Sequence, residues 1–353
     1  MRTIQVPTGK PYEVRIGQGL LSAVGDELLA ALGAPCSVMI IADDQVADLY
    51  GESVQNALRE TGFLPCIHRF PHGETHKNLT TWTDMLCDLA KRQFTRTDAV
   101  LALGGGVTGD MAGFAAATYL RGIRFVQVPT SLLAMVDSSV GGKTGLNLPM
   151  GKNLAGAFYQ PSVVLCDPSA LETLPRDGLL EGVAEAVKTA VLGDAKMFSW
   201  FAAHTHMEHI EDIIARCVAF KASLVTEDEF DRGKRQLLNL GHTLGHALEK
   251  LSNYQISHGK AVSIGMVYAA RLSWWLGFCK ESCLQEIEST LFGLDLPTAA
   301  PYPAAEILPI VLSDKKRTGN TINLVLPEKI GKCRLHAIPI EDLEKTLPLA
   351  MAE

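Results

Sequence analysis

Short, almost wholly apolar runs alternating with helical patterns restrict the first half of this chain to few folds. Residues 37–41 are apolar after Ser37 and end at Ala42-Asp43-Asp44. Residues 65–70, 99–103, 125–128 and 163–166 are further runs, the last three stopped by glycines, Pro129 and Asp167-Pro168. Residues 45–61 and 78–93 have helical spacing, the second with Leu79, Trp82, Met85, Leu86 and Leu89 apolar. Near-continuous apolar strands separated by helices predict a mainly parallel sheet covered on both faces. After Pro168 helical periodicity runs through 178–192, 194–203, 208–226, 234–252 and 259–277, and no convincing strand returns before 321–326. The 353 residues suffice for two domains at roughly 150 residues each. We expect a Rossmann-like α/β domain over residues 1–170 and a mostly α-helical domain over 171–353, with the boundary near 167–175.

Charge narrows the function. With 32 Lys and Arg against 39 Asp and Glu, the net charge is −7. This argues against a nucleic-acid or anionic-membrane partner, because both reward a basic surface. A local basic pocket for a small anion remains compatible. The eight cysteines (Cys36, Cys66, Cys87, Cys166, Cys217, Cys279, Cys283 and Cys333) form no C-x-x-C and read as buried thiols of a reducing compartment. Residues 1–6 lack the apolar core of a signal peptide. Two long apolar stretches, 99–120 and 261–279, carry Asp110 and Arg271 respectively. They read as buried elements of a cytoplasmic protein.

The run at 99–103 leads into Gly104-Gly-Gly-Val-Thr-Gly-Asp110, a G-x-G-x-x-G pattern. Glycines there let backbone N–H groups approach a diphosphate at a helix N-terminus. The pattern follows the third strand rather than opening a βαβ unit, so an ordinary tight turn is the alternative. Asp137-Ser-Ser-Val-Gly-Gly-Lys-Thr144 imitates a phosphate-binding loop, but Asp137 stands where its first glycine is required. Lys143, Lys152 of Gly151-Lys-Asn153, and Arg121 still offer cations for a small phosphate or carboxylate. Solvated surface lysines are the alternative.

Residues 234–252 carry the sharpest signal. On a helix, Arg235, Asn239, His242 and His246 fall at offsets 0, 4, 7 and 11, along one face. Glu181, Glu185 and Lys188 likewise share a face of 178–192, where a solvated salt-bridge stripe is the alternative. Thr243 follows His242, so the H-E-x-x-H pattern is absent. His258 lies in a loop before the next helix. His242 and His258 with a carboxylate such as Glu185 make a His₂Glu set suited to a catalytic zinc. His204, His206 and His209, and His68, His72 and His76, are assigned to the surface.

These segments together resemble the 3-dehydroquinate synthase family. The resemblance rests on Pro71-His-Gly-Glu74-x-x-Lys77, the glycine turn to Asp110, residues 127–145, Gly151-Lys-Asn153, Glu185-x-x-Lys188, Leu238-Asn-x-Gly-His-x-x-Gly-His246 and His258-Gly, in order over nearly the whole chain. It implies an active site in the cleft between the two domains. Glu185, His242 and His258 would bind a divalent metal, zinc, with cobalt as the alternative. NAD+ would be met by Asp43 or Asp44, Glu74, Lys77, Gly105, Gly106, Val107, Asp110, Thr130, Ser131 and Thr173. The catalytic set would be Asp137, Lys143, Lys188, Arg235, Asn239 and His246. Arg121, Lys152, Asn153, Lys221, Asp231 and one of Lys315 and Lys316 would meet the substrate. Three departures stand out: Ser131 replaces the second threonine of a pair, Asp231 replaces a usual glutamate, and Lys260 stands where glutamate is common.

The reaction so implied converts 3-deoxy-D-arabino-heptulosonate 7-phosphate to 3-dehydroquinate and phosphate, in the shikimate pathway of aromatic amino acid biosynthesis. NAD+ would take a hydride and later return it, so the cofactor is catalytic, and the metal would lower the pKa of neighbouring hydroxyls. A homodimer is implied by the same resemblance. The competing readings are a metal-dependent polyol or alcohol dehydrogenase, a cyclase acting on another sugar phosphate such as a seven-carbon ketose, and a binding protein without catalysis.

Overall fold

The computed structural model describes residues 1–312, 317–318 and 320–351. Lys315 and Lys316 lie outside the described residues. The chain forms two compact units, one of Met1–Pro175 with Lys221–Phe230, the other of Arg176–Phe220 with Asp231–Glu353.

The first unit contains strands β1 (Arg2–Val6), β2 (Tyr12–Ile16), β3 (Ser37–Asp43), β4 (Leu64–Phe70), β5 (Ala99–Gly104), β6 (Arg124–Pro129), β7 (Lys143–Leu148), β8 (Gly151–Phe158) and β9 (Val163–Cys166). Seven of them form one sheet in the order β1-β2-β9-β6-β5-β3-β4, while β7 and β8 pair as a separate hairpin. All pairings in the large sheet are parallel except β1 with β2. The five runs read from the sequence are thus the parallel strands β3, β4, β5, β6 and β9. The β1–β2 and β7–β8 hairpins escaped that reading. They alternate in burial or carry glycines, so neither presents a continuous apolar run.

Helices α1 (Val24–Leu32), α2 (Asp44–Glu60), α3 (Leu79–Lys91) and α4 (Gly106–Thr118) connect the strands. Helix α4 buries Met111, Ala112, Ala115 and Ala116 against Val100, Ala102 and Phe125 of the sheet. Its apolar composition therefore reflects burial, and no described helix is long and apolar enough to cross a membrane.

The strand order places the carboxyl ends of β3 and β5 side by side where the winding reverses: β4 lies on one side of β3 and β5 on the other. Ligands of open α/β sheets bind at such a switch point. Asp43 ends β3, Gly104 ends β5, and Thr130 follows β6, its N–H donating to the Gly104 carbonyl at 3.0 Å.

The second unit holds α5 (Arg176–Gly193), α6 (Ala195–Ala202), most of α7 (Ile210–Glu227), α8 (His242–Leu251), α9 (His258–Trp275), α10 (Glu281–Gly293), α11 (Ala304–Leu312), the sheet of β10 (Arg317–Thr318), β11 (Thr321–Lys329) and β12 (Lys332–Pro339), and α12 (Ile340–Met351). Helix α9 is central, with twelve buried residues. Its apolar face packs with Leu244, Leu248, Ile307, Ile322 and Leu343.

The expected helix over 234–252 is not continuous. Residues Lys234–Asn239 form a 3₁₀ helix, and α8 starts at His242 after a left-handed Gly241 at φ 77°. The cause is nonlocal. A Cβ on Gly265 of α9 would stand 1.9 Å from the Gly241 carbonyl oxygen, and one on Gly241 would stand 2.6 Å from the Val262 carbonyl oxygen. Two glycines let the backbones touch there, and the chain turns to make that contact. Arg235 and Asn239 therefore do not share a helix face with His242 and His246.

Burial also departs from expectation among the cysteines and among the histidines assigned to the surface. Cys87 is exposed, whereas Cys166, Cys217 and Cys283 are buried; all eight cysteines are free thiols. His68, assigned to the surface, is half-buried and pairs with Asp88 at 3.0 Å. His76, His206 and His209 are also half-buried, His206 stacked on Phe201 and His209 on Trp200.

Candidate active site

Two groups of the sequence-selected residues are assembled, one in each unit. In the first unit the glycine turn opens α4 directly after β5. Gly105 is the N-cap residue of α4, and Gly106 and Val107 form its first turn, so their amides precede any intrahelical partner. Asp43 caps α2 by accepting from the Val46 N–H at 3.0 Å. Asp44 instead pairs with His72 at 2.8 Å, and that hydrogen bond holds its carboxyl below the usual aspartate value. Ser131 accepts from the Ala134 N–H, and Thr173 lies 2.5 Å from the Tyr50 hydroxyl.

Lys77 is the centre of this group and is only 4% exposed. Its ammonium donates to Asp110 Oδ2 at 2.5 Å and to Asn153 Oδ1 at 2.7 Å. Burial alone would lower its pKa, but Asp110 and Glu74 outweigh burial and raise it, so the lysine stays charged. Asn147, which the sequence reading did not select, completes the network. Its Nδ2 donates to Glu74 at 2.8 Å and its Oδ1 accepts from the Asn153 N–H at 2.9 Å. Asn153 is held in a left-handed conformation at φ 52°.

The phosphate-loop imitation at 137–144 is a π-helical turn, Ala134–Ser138, leading into β7. Lys221 is 7% exposed and bonds Asp137 twice, at Oδ1 (2.7 Å) and at its carbonyl (2.8 Å). Lys143 opens β7 and is exposed; Lys152 is half-buried in β8. Arg121 is not gathered with these groups. It lies beyond the C-terminus of α4, before β6 begins, whereas Thr130 lies past the opposite end of that strand.

In the second unit Glu185, His242 and His258 come together with ligand atoms all within 4.8 Å of one another. Glu185 is 1% exposed. Its Oε1 is 3.7 Å from His242 Nε2 and 3.2 Å from His258 Nε2. Buried Lys188, one turn along α5, pairs with the same carboxylate, which refutes the solvated-stripe alternative. Burial would raise the Glu185 pKa, but Lys188 and His258 outweigh it and bring it to about 2.

Each imidazole is presented by its far nitrogen. His242 Nδ1 lies 3.1 Å from the Leu240 carbonyl and His258 Nδ1 lies 3.3 Å from Glu249. Those oxygens only accept, so both Nδ1 atoms carry the proton and both Nε2 atoms are available to a metal. Glu185 is thus held by the Lys188 ammonium on Oε2 and faced by the His258 ring on Oε1. An anionic carboxylate and two Nε2 donors around a common point fit a divalent metal.

His258 is the first residue of α9 rather than part of a loop. Glu181, one turn before Glu185, holds that helix start: it accepts from the Gly259 N–H at 2.6 Å and pairs with Ser257. His246 is exposed, its ring 5.3 Å from that of His242 and 6.2 Å from that of His258. Arg235 is 1% exposed, Asn239 half-buried, and Asp231 sits at φ 58°. Lys260, unexplained by the sequence, pairs with Asp177 at 3.1 Å.

The electrostatics of His258 give a pH-dependent expectation. Burial alone would lower its pKa, but Glu185 and Glu249 push it up to about 10. Without metal the ring is an imidazolium, and a binding ion must expel a proton. Metal affinity should therefore rise roughly tenfold per pH unit until about pH 10. A competition titration against a chromogenic chelator at several pH values measures this; a flat profile would exclude His258 as a ligand. In the metal-free protein the same raised pKa contributes stability that is complete below about pH 6.5. That contribution is lost as pH climbs through about 10.

Comparison with known proteins finds relatives along nearly the whole chain. Residues 67–181 match the model described as 3-dehydroquinate synthase N-terminal, and residues 182–317 match 3-dehydroquinate synthase C-terminal. A 3-dehydroquinate synthase of Streptococcus suis is 41% identical over 348 residues, covering 97% of this chain and 98% of the relative. Among solved structures, a 2-deoxy-scyllo-inosose synthase complexed with carbaglucose-6-phosphate, NAD+ and Co2+ superposes with a TM-score of 0.87 at 27% identity, covering 99% of this chain and all of that one. A 2-epi-5-epi-valiolone synthase of Streptomyces hygroscopicus with NAD+ and Zn2+ bound gives 0.87 at 26% identity, with 96% of each chain covered. With both halves matched and the identity sustained over nearly its full length, this chain belongs to the 3-dehydroquinate synthase family and is an enzyme of that class, a phosphate-eliminating cyclase.

Proposed function

We propose that this enzyme converts 3-deoxy-D-arabino-heptulosonate 7-phosphate to 3-dehydroquinate and phosphate, using NAD+ catalytically and one zinc ion held by Glu185, His242 and His258. The observation that carries the metal part is the buried Glu185 carboxylate facing two Nε2 atoms. Zinc would supply Lewis acidity to substrate hydroxyls, and NAD+ would supply a reversible hydride acceptor.

The remaining work falls to the protein's own groups. The amides at Gly105, Gly106 and Val107 bind the cofactor diphosphate, and Asp43 at the end of β3 is placed for a ribose hydroxyl. Thr130, Ser131 and Thr173 provide further hydroxyls, and Glu74, Lys77 and Asp110 orient the nicotinamide side. Lys143, Lys152, Asn153, Lys188, Arg235 and Asn239 hold the phosphate and carboxylate of the substrate, with one of Lys315 and Lys316 as a further cation; Arg121, before the opposite end of β6, is included on the family resemblance alone. Holding both anionic ends favours the conformer that closes to a ring. Asp137, fixed by Lys221, and His246 are the groups placed to hold or move a proton, and Asp231 supports the substrate side. A homodimer in the cytoplasm completes the reading, on the family resemblance.

The test follows phosphate and reduced nicotinamide together, with the heptulosonate phosphate, zinc and NAD+ present. Many equivalents of phosphate per NAD+, with no steady-state accumulation of NADH, are expected. NADH rising mole for mole with substrate consumed would replace this reading with a dehydrogenase.

A further inference from the structure

Glu249 belongs to none of the groups assigned above, yet it is 3% exposed and lies on α8 seven residues after His242. Its Oε2 is 3.3 Å from His258 Nδ1, while His258 Nε2 is 3.2 Å from Glu185 Oε1. The ring thus stands between a carboxylate of α5 and one of α8. The other imidazole, His242, rests its Nδ1 on a neutral carbonyl. At Nδ1, then, His258 meets a carboxylate where His242 meets a carbonyl.

We propose that Glu249 is a positioning residue for His258: it accepts the Nδ1 proton, fixes the tautomer and aims unprotonated Nε2 at the metal beside Glu185. This rests on the metal reading above. Charged partners of this kind also make the imidazole a stronger donor, and their loss typically weakens metal binding by about 10- to 100-fold. A rival arrangement exists in the same structure. His246, Glu249 and His258 also bring ligand atoms within 4.8 Å of one another. In that arrangement Glu249 would itself be a ligand, and His258 would bind through Nδ1.

The experiment titrates metal-free protein with Co2+, reading the dissociation constant and the visible absorption bands, for the native chain, Glu249→Gln and Glu249→Leu. Glutamine retains an acceptor but loses the charge, so its bands should stay close to native while its affinity falls by less than that of the leucine variant. Leucine retains none, and should bind about 10- to 100-fold more weakly with altered bands. A folded Glu249→Leu with native affinity and bands would overturn this proposal while leaving the metal site standing. A native protein that binds no Co2+ would overturn both. Should Glu249→Leu fail to fold, ¹⁵N spectra of His258 in the zinc-loaded native protein decide. A protonated Nδ1 with a metal-shifted Nε2 is the expected result, and a metallated Nδ1 overturns it.

Discussion

Dialysis against a strong chelator is expected to abolish phosphate release, and added zinc to restore it. The loss should be at least about a thousandfold, since polarising a reacting hydroxyl is worth several kcal/mol. The reason lies in Glu185: a 1% exposed carboxylate, kept anionic by Lys188 and facing two imidazole Nε2 atoms. Glu185→Gln should reproduce the loss irreversibly. It also removes the charge opposite Lys188, which is 1% exposed, so the variant should be less stable in the metal-free state as well. Full activity in a preparation shown to be metal-free would sink the assignment of all three ligands.

The second large effect is expected at a position without chemistry of its own. Gly265→Ala should destabilise the protein by at least about 3 kcal/mol, because overpacking against backbone has no side chain to push aside. Its Cβ would stand 1.9 Å from the Gly241 carbonyl oxygen, so α9 and the turn before α8 must separate. Asn239 and His242 flank that turn, and turnover should fall even in the folded fraction. Gly245→Ala is the graded comparison: its Cβ would stand 3.2 Å from the Ala261 carbonyl, and the cost should be clearly smaller. Thermal and denaturant unfolding of the two variants measure the difference. Equal stability of Gly265→Ala and the native chain would mean that the close approach of α8 and α9 is not required.

These two results bear on how far the amino-acid order alone reaches. The gathering of Glu185, His242 and His258 was legible because histidines are scarce and two of them with a carboxylate make a recognisable donor set. Lys77 and Asp110 were legible only through family motifs; nothing local says that residues 33 apart share a proton-bearing contact at 2.5 Å. Asn147 offered no signal, since one asparagine in a β-hairpin resembles any turn residue. Glu249 did offer one: it follows His242 and His246 at offsets 7 and 3, on the same face of α8.

What the sequence determined by itself is the order of elements and the chemical inventory. Apolar runs ending in glycine or acidic residues specify parallel strands and their turns, because backbone preference and burial act over a few neighbouring residues. The tertiary structure decided which atoms meet. The continuous helix expected over 234–252 is interrupted at Gly241, whose backbone packs directly against that of Gly265, 24 positions away by residue number. The same holds for His258, whose Nδ1 meets Glu249 of another helix. A hydrogen bond or a ligand bond needs atoms about 3 Å apart in a set direction. That geometry comes from packing between distant segments, which no local pattern encodes.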